Sequence, residues 1–126
     1  MATLSEALAL AIQHHQAGRL PAAEQIYRQI LLVEPYHADA LHMLGVIAAQ
    51  VGKPEIAVDL FRRAIRVNGS SAPFHTDLGN ALKEQGKLDQ AVACYRYAIK
   101  LKPDYAEAHN NLGNALKDQE DRKSVV

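Results

Sequence analysis

Residues 72–85, APFHTDLGNALKEQ, and residues 106–119, AEAHNNLGNALKDQ, agree at nine of fourteen positions without a gap. They lie 34 residues apart, and the same interval runs upstream: Leu44-Gly45, Leu78-Gly79 and Leu112-Gly113 repeat one dipeptide three times. A period of this length marks each segment as one supersecondary unit. Such a unit cannot bury its apolar face alone and must stack on a copy of itself.

Carried in both directions, the register gives units at residues 4–37, 38–71 and 72–105, a half unit at 106–119, and a tail at 120–126. Each full unit reads as two helices around a short turn. Thr3 and Glu6 form a T-x-x-E capping box for the first helix. Gly18 ends it, because glycine enters the left-handed C-cap without a Cβ penalty. Pro21 opens the second helix, where its missing N–H costs little, and Pro35 stops it. Unit two repeats this with Gly52, Pro54 and Asn68-Gly69, and unit three with Pro73, Gly86 and Pro103.

The apolar spacing inside each unit is helical and nowhere alternating, so no strand is expected. Tyr27, Phe61 and Tyr95 share one position of the second helices, and Ala23, Ala57 and Ala91 share another. The ring is expected to fill the gap between two helices, and the alanine to let their backbones approach.

Composition narrows the function. Fourteen basic residues balance fourteen acidic ones without a run of either sign. That leaves no basic footprint for nucleic acid or an anionic membrane. The lone Cys94 cannot form an internal disulfide, which points to a reducing compartment. The N-terminal stretch lacks a basic signal-peptide n-region, and no segment approaches the ~20 apolar residues that span a bilayer. The expected location is cytoplasmic.

Together these residues resemble the tetratricopeptide repeat (TPR), whose pattern is W-x2-L-G-x2-Y, then A-x3-F, then P. Unit three supplies His75, Leu78, Gly79, Leu82, Ala91, Tyr95 and Pro103 at those places. Unit two supplies Leu41, Leu44, Gly45, Ala48, Ala57 and Phe61, with Gly69 where proline is usual. Unit one diverges more, with Ala7, Leu10, Ala11, His14, Ala23, Tyr27 and Pro35. The wording of the later repeats is similar to bacterial TPR proteins related to O-linked N-acetylglucosamine transferases, although no glycosyltransferase domain is present in these residues.

The resemblance implies an all-α, right-handed superhelical solenoid of antiparallel helix pairs with about three and a half repeats. It also implies a protein-interaction scaffold that holds a peptide in its concave groove. On the family register, the candidate groove residues are Leu8, Ile12, His42, Met43, Val46, Asp77, Asn80, Lys83, Asn110, Asn111, Asn114 and Lys117, and Thr76 falls on the same face. This surface runs from apolar to amide-rich. An asparagine both donates and accepts, so Asn80, Asn111 and Asn114 suit the backbone of an extended peptide. Asn111 falls on the asparagine ladder of the transferase repeats, whereas Asp77 and Met43 interrupt it. The family's carboxylate clamp needs Lys and Asn where Leu8 and Ile12 stand, and basic residues where Pro73 and Asp77 stand, which argues against it.

No cofactor or metal is expected. His75 and His109 stand one repeat apart on neighbouring helices, and no Cys or carboxylate cluster completes a tetrahedral set. Cys94 reads as a buried thiol, and no acid–base pair marks an intrinsic enzyme. Alternatives to the scaffold are the substrate-recruiting part of a larger glycosyltransferase and a self-assembling repeat module. For the latter, Ala108, Leu112 and Leu116 are expected to lack a partner, because the repeat grammar breaks at Glu120. The Ser124-Val125-Val126 ending also fits the S-x-V motif read by PDZ domains.

Overall fold

A computed structural model describes residues 2–124. Apart from Ser124, the S-x-V ending lies outside the described residues. Seven helices follow one another: α1 (Leu4–Gln16), α2 (Leu20–Val33), α3 (Ala38–Gln50), α4 (Pro54–Val67), α5 (Ala72–Glu84), α6 (Leu88–Leu101) and α7 (Ala106–Ser124). No strand occurs among the described residues, and none of the helices is long and apolar enough to cross a membrane.

The caps fall where turn chemistry puts them. Thr3 Oγ1 accepts from the Glu6 N–H at 3.1 Å and Glu6 Oε1 accepts from the Thr3 N–H at 3.2 Å, closing the capping box. The turns after α1, α3 and α5 pass through Gly18, Gly52 and Gly86 at φ +79°, +79° and +78°. A side chain there would be strained. His37 Nδ1 caps α3 and Ser71 Oγ caps α5, accepting from Ala40 N–H and Phe74 N–H. The fourth glycine position is Glu120. Without a residue suited to the left-handed turn, α7 continues through Ser124, where a tail was expected from residue 120. Its extension is tied to the start of α6: Gln119 Nε2 donates to Asp89 Oδ1 at 2.6 Å, and Arg122 lies 3.9 Å from the same oxygen.

Helices α1/α2, α3/α4 and α5/α6 form antiparallel pairs, and each second helix also packs on the next first helix. Within a pair the closest approach is glycine against ring. A Cβ on Gly45 would lie 2.5 Å from Phe61 Cε1, and one on Gly79 would lie 2.6 Å from Tyr95 Cε1. Ala57 and Ala91 are fully buried beside them, and Ala11, Ala23 and Tyr27 build the matching core of the first pair. The array also curves. Helix α3 packs on α5 and α5 on α7, while no comparable contact joins α2 to α4 or α4 to α6. The first helices therefore form the inner wall.

The C-terminal edge is better covered than the sequence pattern predicts. Ala108 is fully buried against Ala72 and Ala98, and Leu112 is half-buried against the central core. Only Leu116, at 38% exposure, remains of the expected unpartnered set, because α7 already rests on both α5 and α6.

Candidate functional site

On α3, α5 and α7 one helical stripe faces inward: Asp39, Met43, Val46 and Gln50; then Asp77, Asn80 and Glu84; then Glu107, Asn111, Asn114 and Asp118. Much of its polar capacity is spent between successive first helices. His42 Nε2 and Asp77 Oδ2 are 2.7 Å apart, and the imidazole stacks on Phe74 with ring centres 4.4 Å apart. Asn111 Nδ2 donates to Asn80 Oδ1 at 3.0 Å, and the Tyr95 hydroxyl donates to the same oxygen at 2.6 Å. Lys83 Nζ lies 3.5 Å from Asp118 Oδ2, and His15 Nε2 pairs with Gln50 Oε1 at 2.7 Å.

The expected groove residues thus separate by environment. Leu8 and Met43 are half-buried against the first core cluster, and Val46 against the central one. Ile12 is also half-buried. His42, Asp77, Asn80, Lys83 and Asn111 join first helix to first helix. Asn110, Asn114 and Lys117 are exposed, though for different reasons. Asn110 is the repeat equivalent of Thr76, which is not a groove surface at all. Thr76 is fully buried, and its hydroxyl satisfies itself on the Ala72 carbonyl at 3.0 Å. Asn114 is the equivalent of Asn80. The exposure of both amides belongs to the open end of the array, whereas Lys117 faces the groove margin as Lys83 does.

The family register also carries the carboxylates Asp39, Glu84 and Glu107 onto the groove, a surface that reads in the sequence only as running from apolar to amide-rich. Asp39, Glu84 and Glu107 are exposed, and no lysine or arginine pairs with them among the described residues. Glu84 stands on the rim of a cleft of about 560 Å³ between the end of α3 and α5, with Ala49, Pro54, Ala81 and Asn80 also lining it. The first helices are acidic on balance although the whole chain is neutral.

The remaining candidate groups are explained by packing. His75 Nε2–H donates to the Gly69 carbonyl at 3.0 Å and His109 Nε2–H to the Pro103 carbonyl at 2.7 Å, each ring tying a helix to the turn before it. Burial pushes the Cys94 thiol up, with Arg62 opposing, so its thiolate is scarce near neutral pH. The Tyr95 hydroxyl is pushed up to about 12, first by burial and then by Cys94, Asp77 and Glu107. Tyr27, fully buried like Tyr95, has a hydroxyl without a protein partner. Its acceptor should stand at the Asn80 position, which in unit one is Ile12. Unit two is consistent, with Val46 opposite Phe61.

Helix pairs, turn glycines and glycine–ring contacts define a helical-repeat scaffold of the tetratricopeptide type. Tetratricopeptide repeat models match residues 8–73 and residues 79–120, and the chain belongs to this family. It is similar to the O-GlcNAc transferase of Thermobaculum terrenum, solved as a point mutant, at 30% identity and a TM-score of 0.87. The likeness covers 92% of this chain and 23% of that enzyme, so the chain spans about a quarter of its length. The first TPR of Spaghetti (RPAP3), solved with an HSP90 peptide, is 19% identical over 93% of each chain, with a TM-score of 0.88. The type III secretion chaperone SycD of Yersinia enterocolitica, solved with a YopD peptide, is 19% identical, with a TM-score of 0.84; the match covers 95% of this chain and 94% of that one. At these identities the last two share the fold. No curated protein matches the chain significantly in sequence.

Proposed function

We infer that the chain is a non-catalytic interaction scaffold whose inner wall holds an extended peptide with an apolar residue next to a basic one. The carrying observation is the half-buried Met43 and Val46 and the apolar-floored cleft of Ala49, Pro54 and Ala81 with Glu84 on its rim, together with the exposed carboxylates Asp39 and Glu107 at the opposite, N-terminal ends of α3 and α7. Apolar contact supplies affinity, while carboxylates without a cationic partner favour lysine or arginine. Leu8 and Ile12 extend the apolar half, and Asn111 and Lys117 border the polar half. Asp77 and the absence of basic residues at the clamp positions disfavour an acidic peptide such as the SRMEEVD peptide solved with the RPAP3 repeat. The RPAP3 and SycD repeats, each solved with a peptide, support peptide binding by this fold.

Selection from a displayed peptide library, followed by calorimetry of the enriched sequences, tests the proposal. Basic–apolar peptides should be enriched, and affinity should fall with added salt. The substitutions Glu84→Gln and Glu107→Gln should weaken binding about tenfold together, at ordinary charge-pair strength, and leave the circular dichroism unchanged. Affinity indifferent to both salt and these substitutions would refute the acidic groove. A second reading, the substrate-recruiting arm of a larger glycosyltransferase, rests on the likeness to the Thermobaculum enzyme. A catalytic domain in the same reading frame would decide for it.

A further inference from the structure

One corner of the array, between the α2–α3 turn and the end of α4, departs from the repeat. Leu32, at the end of α2, is 84% exposed, and Tyr36, in the turn to α3, is 80% exposed. Their equivalents in the next two units are polar: Arg66 and Lys100 for Leu32, Ser70 and Asp104 for Tyr36. Pro35 and Tyr36 bound a cleft of about 260 Å³ that Leu41, Arg63, Arg66 and Val67 also line. In unit three the residues one repeat beyond Leu41 and Arg63 are His75 and Tyr97, whose rings meet with centres 4.5 Å apart. Leucine and arginine leave unit two without that ring pair.

The charge at this corner is uncompensated. Arg63 and Arg66 stand three residues apart on α4, a spacing that puts them on one face. Arg63 reaches Asp59 only at 3.9 Å, in an exposed pair of little worth. Arg66 has no ion pair among the described residues, and Glu34, next to Pro35, pairs with neither arginine. We propose that this cleft binds a peptide segment of a partner protein in which an aromatic side chain stands beside a carboxylate. The ring takes the place that the Tyr97 ring takes in unit three, against Leu41 and Val67 with Tyr36 beside it. The carboxylate pairs with Arg66 and Arg63, and this charge complementarity selects an acidic partner. Leu32 and Val33, both exposed, immediately precede the turn, so the apolar surface runs on beyond the cleft and suits a peptide better than a small acid. The preference is opposite in sign to that of the inner wall and does not rest on the reading of that groove.

Calorimetric titration of the whole protein with the peptide acetyl-SGEFEGS-amide, which carries a carboxylate on either side of the ring, tests this. It should bind saturably, with backbone amide shifts centred on Tyr36, Arg66 and Val67. Alanine in place of the peptide phenylalanine should weaken binding at least ~tenfold, the worth of one buried ring. Lysine in place of both glutamates should abolish binding at this corner. Arg63→Gln and Arg66→Gln together should weaken the acidic peptide by ~tenfold or more, the range of hydrogen bonds to a charged group. Tyr36→Ser, which installs the unit-three residue, should weaken it ~3–10-fold, the range of one aromatic contact. All three positions are exposed, so the melting midpoint should barely move.

Absence of saturable binding, or binding indifferent to the arginine pair and to Tyr36→Ser, would overturn the proposal. So would displacement of the peptide by an equal concentration of inorganic phosphate, which would reduce the corner to a general anion site. Self-association of the unmodified protein that both the arginine pair and Glu84→Gln abolish would overturn it too, because the acidic inner wall of a second copy would then occupy the corner. Glu84→Gln should leave binding of the acidic peptide untouched, so failure here and failure of the inner-wall groove are read separately.

Discussion

Removing a hydroxyl from Tyr27 and from Tyr95 should move stability in opposite directions, although both rings occupy the same repeat position and both are fully buried. The Tyr95 hydroxyl donates to Asn80 Oδ1 at 2.6 Å. Its loss costs the net worth of that bond, about 1 kcal/mol. The cost stops there because Asn111 Nδ2 still satisfies the abandoned oxygen at 3.0 Å. Tyr27 has no protein partner for its hydroxyl, and an unsatisfied buried hydroxyl is unfavourable by ~1–3 kcal/mol. Tyr27→Phe should therefore gain about 1 kcal/mol, opening a gap of roughly 2 kcal/mol between the two substitutions. Urea denaturation followed by circular dichroism reads this as midpoints displaced to opposite sides of the wild type at unchanged slope. Ile12→Asn supplies the acceptor that unit three has, so a double-mutant cycle with Tyr27→Phe should show a favourable coupling of ~0.5–1.5 kcal/mol. Equal losses for the two Tyr→Phe substitutions, with no coupling to Ile12→Asn, would show that the Tyr27 hydroxyl is satisfied and refute the reasoning.

Phe61→Ala should cost ~3–5 kcal/mol by emptying the gap between α3 and α4, measured as a lowered urea midpoint. Gly45→Ala and Gly79→Ala should each destabilise by ~1–3 kcal/mol through overpacking against the rings, whereas Gly113→Ala, whose Cβ meets nothing within 4 Å, should stabilise as the better helix former in a melting assay of all three. Tyr95, ordinarily near 10 and held at about 12, stays protonated in the folded chain where the unfolded chain has ionised. Its contribution is complete below pH 10 and lost as pH rises toward 12, so alkaline melts should show stability falling through that window. That fall should be smaller in Tyr95→Phe. Cys94, with its thiol raised by burial, should react with a disulfide reagent more slowly in the native protein than in urea at the same pH; equal rates would contradict its burial.

The fold was legible because its determinants are local or strictly periodic. Gly18, Gly52 and Gly86 announce left-handed turns and Thr3 and Glu6 announce a cap, whereas the close approach expected at Ala57 and Ala91 is made by Gly45 against Phe61 and Gly79 against Tyr95. The inner wall was only half legible. A register places His42 and Asp77 on one surface, but not the rotamers that turn them toward each other. Nor does it show that Thr76 is sealed by neighbouring helices while its equivalent Asn110 lies open. Those outcomes depend on which helix stands beside a position, and that changes at the end of an array. The Ile12–Tyr27 mismatch was readable from aligned repeats, once Asn80 is known to be what Tyr95 bonds.

The four polar links His15–Gln50, His42–Asp77, Asn80–Asn111 and Lys83–Asp118 all join first helices to first helices. The array is therefore pinned along its inner edge and comparatively free along its outer one, like the spine and leaves of a book. A fanning of α2, α4 and α6 would alter curvature while keeping the pins closed. Straightening would have to stretch each pin in turn. A peptide lying across two repeats of the inner wall would meet a surface whose spacing these four links set.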